Sequence, residues 1–198
     1  MRHFDEIYGI AATRHGGEAA LEALLPRPKP QTELCAIPED RWLSTFTRAI
    51  FQAGFNWSVI EAKWDGFETA FNGFDIDSCA MMDDETFDAL LRNKAIVRNA
   101  AKIAAVRDNA TFLLGLRAQG GASQVFATWP VNDFIGLMDM LKTRGNRLGG
   151  TTGAYALRSM GCDSFILSRD VTARLVAEGV IDKPASSKTA LRAVQAAF

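Results

Sequence analysis

Leu141-Lys142-Thr143-Arg144-Gly145-Asn146-Arg147-Leu148-Gly149-Gly150-Thr151-Thr152 joins two helical patterns through a turn rich in glycine and arginine. On its N-terminal side, Asp133 is placed to cap a helix bearing Phe134, Leu137, Met138 and Leu141 on one face, which stops at Gly145. On its C-terminal side a second helix is predicted over about residues 152–160, closed by Gly161, with Thr151 as its expected cap. Gly149 and Gly150 permit a tight turn and a close backbone approach. The free N–H groups of the second helix then point outward, among Lys142, Arg144 and Arg147, an arrangement suited to a phosphate. No Gly-Lys-Ser/Thr sequence occurs, which argues against a nucleotide-triphosphate loop. From spacing alone, the same stretch also reads as a plain packing joint between two helices.

Working outward, every periodic segment repeats at the helical period. Residues 38–52 open with Pro38-Glu39-Asp40 and carry Trp42, Phe46 and Ile50 four apart. Gly54 stops that helix, and Asn56 is placed to cap the next, in which Trp57, Ile60, Glu61 and Trp64 share a face. Asp83-Asp84-Glu85 begins a short helix through Leu90-Leu91. Residues 96–116 form the longest pattern, with Ile96, Ile103, Val106, Ala110 and Leu113 as its buried stripe. Further helices are predicted over 169–178, ending before Gly179, and from Ser187 with Leu191, Val194 and Phe198. Residues 24–38, with four prolines, read as an extended connector. No segment alternates apolar and polar residues, so the expected fold class is all-α. The chain is read as one domain, 1–198, with an N-terminal helix and Pro-rich connector over 1–37 and the two-helix segment over 137–170.

The composition of the 198 residues, 48% hydrophobic and 23% charged, excludes a disordered chain or a disulfide scaffold. No apolar run reaches the roughly 20 residues of a spanning helix, so no membrane association is expected. Three unpaired cysteines, Cys35, Cys79 and Cys162, suggest a reduced, cytoplasmic setting. The net charge of −1 hides an asymmetry. Residues 1–97 hold 9 Lys/Arg against 16 Asp/Glu, a net −7, whereas 98–198 hold 13 against 7, a net +6. A chain divided this way can offer a basic face to a polyanion, although such differences also arise by chance.

Several blocks, in order over about residues 40–175, resemble the 3-methyladenine DNA glycosylase I family of the helix-hairpin-helix glycosylases. They are Gln52-Ala53-Gly54-Phe55-Asn56-Trp57; Phe71 with Phe74-Asp75; Ile96-Val97-Arg98 with Lys102-Ile103 and Asn109-Ala110; and Leu141-Lys142 with Arg144-Gly145 and Gly150-Thr151-Thr152. The segment Phe165-Ile166-Leu167-Ser168-Arg169-Asp170-Val171 extends the likeness to the wider superfamily. The resemblance implies an all-α, two-lobed bundle containing a helix-hairpin-helix. It also implies an enzyme that flips a damaged purine out of duplex DNA and cleaves its N-glycosidic bond. Trp57 occupies the family's base-stacking position, with Phe55 and Gln52 as further base-binding candidates. By residue type alone, Trp57 is equally a core residue like Trp42. The hairpin residues Arg144, Arg147, Gly149, Gly150, Thr151 and Thr152 are expected to grip the DNA backbone without reading sequence. Damaged double-stranded DNA is the expected partner, and neither a protein partner nor a cofactor is implied.

Three departures from the family stand out. The resemblance implies a structural zinc held by two cysteines and two histidines, but this chain has only His3 and His15, and its cysteines lie elsewhere, so no metal is expected. The family's base-recognising glutamate falls at Ala49, which cannot hydrogen-bond a base. Glu61, one turn after Trp57, is the nearby carboxylate available to take over, unless it merely faces solvent. The superfamily's catalytic aspartate aligns with Ser168, and Asp170 two residues on is the catalytic candidate, or else a first-turn acid behind a capping serine. No lysine lies near that slot, so a monofunctional hydrolase is expected rather than a Schiff-base lyase. With Ala49 in place, a damage-binding module with little excision activity and a glycosylase for a different lesion remain the alternatives.

Overall fold

The computed structural model describes residues 2–198, and among them every regular element is helical, in agreement with the expected class. The helices in chain order are α1 (Phe4–Arg14), α2 (Glu18–Leu24), α3 (Gln31–Cys35), α4 (Glu39–Gln52), α5 (Trp57–Ala62), α6 (Trp64–Ala70) and α7 (Ile76–Ala80). They continue with α8 (Asp84–Arg92), α9 (Ala100–Leu114), α10 (Ala122–Ala127), α11 (Phe134–Arg144), α12 (Thr151–Met160), α13 (Arg169–Ala177) and α14 (Lys188–Gln195). None of these helices is long and apolar enough to cross a membrane.

Local chemistry sets many of the boundaries. Asn56, Asp83, Asp133 and Ser187 accept hydrogen bonds from the backbone N–H groups of Ser58, Thr86, Gly136 and Ala190, capping α5, α8, α11 and α14. Each such cap is worth about 1 kcal/mol. Four readings from sequence need correction. Thr151 is the first residue of α12 rather than its cap; the cap position falls on Gly150, whose φ of +62° only glycine adopts without strain. The long helix begins at Ala100, because the Asn99 side chain accepts the N–H of Lys102 and starts it there. The connector contains α3, since the span between Pro30 and Pro38 is free of proline. Glu61 and Trp64 belong to successive helices, which break at Lys63.

Within the expected single domain, the chain forms two compact units. Residues up to Pro28 together with Phe165–Phe198 make one, and Lys29–Ser164 the other. In the first, Leu175, Ile181 and Val194 form a small core to which Phe165, Leu167 and Val171 are added. The rings of Phe165 and Phe198 stack at 4.4 Å, and the Tyr8 hydroxyl donates to Glu22 across α1 and α2 at 2.8 Å.

The second unit is organised by α4 and α9. The predicted stripe of α9, Ile103, Val106, Ala110 and Leu113, is fully buried, and α9 packs against α4 and α7. Trp42 and Phe46 of α4 close on Phe126 of α10 at 4.7 and 5.7 Å. The indole of Trp42 donates to Ser123, whose hydroxyl donates in turn to the Ile37 carbonyl. Trp64, Phe67, Phe71 and Phe74 stack at 5.1–6.3 Å around the turn that follows α6. Glu68 ties α6 to α4, accepting from Arg41 through both its oxygens and from Ser44 and Trp64. Burial pushes its carboxyl up, but these donors outweigh burial and hold it below the usual range.

Candidate active site

Ile50 and Phe51 are buried and fix the last turn of α4 in the core. The chain then leaves the helix, turns at Gly54 with φ of +78°, and presents Phe55 before Asn56 starts α5. The first residue of α5, Trp57, is therefore lifted out of the core and is 53% exposed, whereas Trp42 on α4 is wholly buried. That contrast rules out for Trp57 a core position like that of Trp42. An indole this exposed gives up favourable burial that a purely structural tryptophan would keep. Its ring faces Tyr155 of α12 edge-on, with centroids 5.9 Å apart and planes at 87°.

Glu61 lies one turn beyond Trp57 on α5. The Gln52 side-chain amide donates to it at 2.8 Å, and the guanidinium of Arg48 stands 3.6 Å from its other oxygen. Arg48 itself lies over the Trp64 ring at 4.3 Å. Glu61 is thus neither a free surface acid nor a buried one: it is held half-exposed by two donors from α4. Gln52 spends one N–H on Glu61, so its second N–H and its carbonyl oxygen remain for a ligand. Ala49, between Arg48 and Gln52 in sequence, brings only a methyl group.

Lys102 supports the turn from below. Its side chain is buried, and its ammonium donates to the carbonyls of Ala53 and Phe51 at 2.6 and 3.2 Å. It also lies 4.4 Å from the centre of the Phe55 ring. Burial first, and the like charge of Arg147 second, push the Lys102 amine below its ordinary range.

Two neighbouring side chains of α9 seat the hairpin through Asn146: Asp108 accepts from its side-chain amide at 2.6 Å, and Asn109 holds its backbone. Asn109, 1% exposed, donates to the Asn146 carbonyl at 3.0 Å and accepts the Asn146 N–H at 2.8 Å. Leu148 is buried, while Arg147, held at φ +60°, is exposed. Gly145 has no room for a side chain, because a Cβ there would lie 2.7 Å from both the Leu141 carbonyl and Leu148. Arg144 lies over the buried Phe112 ring at 5.2 Å. The first turn of α12 has no side-chain cap, so the N–H groups of Thr151 and Thr152 are offered outward as an anion site requires.

The structure thus brings Trp57, Phe55, Gln52, Glu61 and the hairpin residues Arg144, Arg147, Gly149, Gly150, Thr151 and Thr152 into one compact unit. Asp170 belongs to the other unit, exposed in the first turn of α13, where Ser168 caps the helix by accepting the Val171 N–H. A four-ligand metal site does not fit this chain. Among the described residues no three His, Cys, Asp or Glu side chains converge. Burial pushes the Cys79 and Cys162 thiols up to about 12 and about 11, which disfavours the thiolate a metal needs. Sequence reasoning gave no role to Tyr155, Arg48 and Asn109, and left Lys102 unassigned. A signal for Tyr155 was present: it is the large ring of α12 that falls outside the stripe of Ala154, Ala156, Leu157 and Met160.

Comparison with known proteins matches this arrangement to a family. A family model described as methyladenine glycosylase covers residues 39–135, which span α4 through the start of α11. The DNA-3-methyladenine glycosylase of Haemophilus influenzae is 30% identical over a 131-residue alignment that covers 56% of this chain and 70% of that protein. The chain belongs to the methyladenine glycosylase family. Solved structures agree on the fold. A crystal structure of 3-methyladenine DNA glycosylase I superimposes with a TM-score of 0.56 at 23% identity, covering 72% of this chain and 86% of that one. The enzyme from Staphylococcus aureus, solved for its recognition of 3-methyladenine, gives 0.59 at 20% identity, covering 80% and 93%.

Proposed function

We propose that this chain is a monofunctional DNA N-glycosylase that excises alkylated purines, 3-methyladenine foremost, from damaged duplex DNA in the cytoplasm. The observation that carries this reading is the exposed Trp57, set against Tyr155 with the Glu61 carboxylate one turn away and the hairpin in the same unit.

The physical sequence is as follows. Arg144, Arg147 and the amides of Gly149 to Thr152 hold phosphates and position the duplex. Extracting a base costs a few kcal/mol, less for a damaged one, and stacking on Trp57 returns about 1–3 kcal/mol. An alkylated adenine carries positive charge, which favours an aromatic face and a carboxylate. Glu61, held by Gln52 and Arg48, accepts from the base edge in place of the carboxylate that Ala49 lacks. Water adds to the sugar carbon as the bond to the base nitrogen breaks; the bond pair goes to the cationic purine, which therefore leaves neutral without a strong acid, and the water's proton passes to solvent.

The test is to incubate the protein with methylated duplex DNA and identify released bases by mass spectrometry. Release of 3-methyladenine, abolished in Trp57→Ala with DNA affinity retained, is the expected result. Absence of any released base, with damaged DNA still bound, favours the second reading suggested by Ala49: a damage-binding module of the same fold.

A further inference from the structure

We infer that Tyr155 is a specificity-determining residue of the base pocket, the wall that limits the in-plane size of the purine stacked on Trp57. This rests on the excision reading above. Tyr155 is 40% exposed on the face of α12 opposite its buried stripe, so the core does not require it. The other face fixes its position, because Ala154, Ala156, Leu157 and Met160 are buried and α12 packs on α4. The ring is therefore rooted on a rigid helix, while the turn that carries Trp57 ends α4. Its hydroxyl has no hydrogen-bond partner among the described residues, so no polar contact of the fold requires it either.

The geometry narrows which contact it can make. Trp57 and Tyr155 stand at 87°, so a purine lying flat on Trp57 is oriented at a right angle to the Tyr155 ring. Such a ring is no second stacking face. It bounds the purine and discriminates by substituent size. Tyr155 is also four residues beyond Thr151, so the helix end that grips phosphate and the wall that measures the base share one rigid element.

The experiment compares wild type, Tyr155→Ala and Tyr155→Phe on one methylated duplex, recording kcat and KM for 3-methyladenine release, the ratio of 3-methyladenine to methylguanine released, and affinity for undamaged DNA. In Tyr155→Ala, kcat/KM is expected to fall roughly tenfold, the order of one lost aromatic contact, with that ratio falling several-fold. Undamaged-DNA affinity and the melting temperature should stay within error, and Tyr155→Phe should restore most of the loss. An alanine variant with wild-type rate and selectivity overturns the assignment, as does a parallel fall in undamaged-DNA affinity. If wild type releases no base, the excision reading and this one fall together. If wild type is active and the alanine variant matches it, only the role of Tyr155 falls.

Discussion

Replacing Asn109 by alanine removes the clasp that seats the hairpin on α9. The side chain makes one donor and one acceptor bond to the backbone of Asn146, at 3.0 and 2.8 Å, from a position 1% exposed. Each neutral bond contributes about 1 kcal/mol net, and leaving the Asn146 N–H and C=O unpaired beneath the turn adds about 1 kcal/mol. The expected destabilisation is therefore about 2–3 kcal/mol. For a chain of this size that lowers the melting temperature by roughly 5–10 °C. The assay is thermal and urea unfolding, with an unchanged urea slope as the check that the native state is still compact. Duplex affinity, measured by fluorescence anisotropy in the same buffer, should fall as well, since the amides of Gly149 to Thr152 are aimed by this seating. Asn109→Asp keeps the acceptor and loses the donor, and should fall between the two. A loss below about 0.5 kcal/mol with full DNA affinity would refute the reasoning, because the hairpin would then be positioned by the Asp108–Asn146 bond, Leu148 and the glycines without Asn109.

Three further outcomes follow from the geometry. Lys102→Met should cost about 1.5–3 kcal/mol in urea unfolding, the range for hydrogen bonds from a charged donor, and should slow base release more than it weakens binding to undamaged DNA. Arg147→Gly relieves a backbone held at φ +60°, so stability should hold or rise by up to about 1 kcal/mol, while the log–log salt slope of DNA binding falls by about one unit. Glu68 has a folded carboxyl below its ordinary range, so the stability it contributes is present above that range and is lost as the pH drops through the depressed value. Urea midpoints measured from pH 7 down to pH 3 should show that acid limb in wild type and a flatter one in Glu68→Gln.

What the sequence determined by itself was local: the helical period, the caps at Asn56, Asp83, Asp133 and Ser187, and the glycine breaks at Gly54 and Gly161 all act within a few residues. The buried stripe of α9 was legible for the same reason. The helices it missed or merged, α2, α3, α6, α7 and α10, are five to seven residues long, too short to form without partners, and depend on packing against the rest of the fold. The candidate site was legible as a set of residues but not as a geometry. Trp42 and Trp57 sit on equally plausible faces in the sequence, and only the exit from α4 at Gly54 buries one and exposes the other. Asn109 reaches a backbone 37 residues away, and Tyr155 meets a tryptophan from a distant helix. Such contacts depend on how helices cross, which local periodicity does not encode, and so tertiary structure alone brought together residues the sequence had only named.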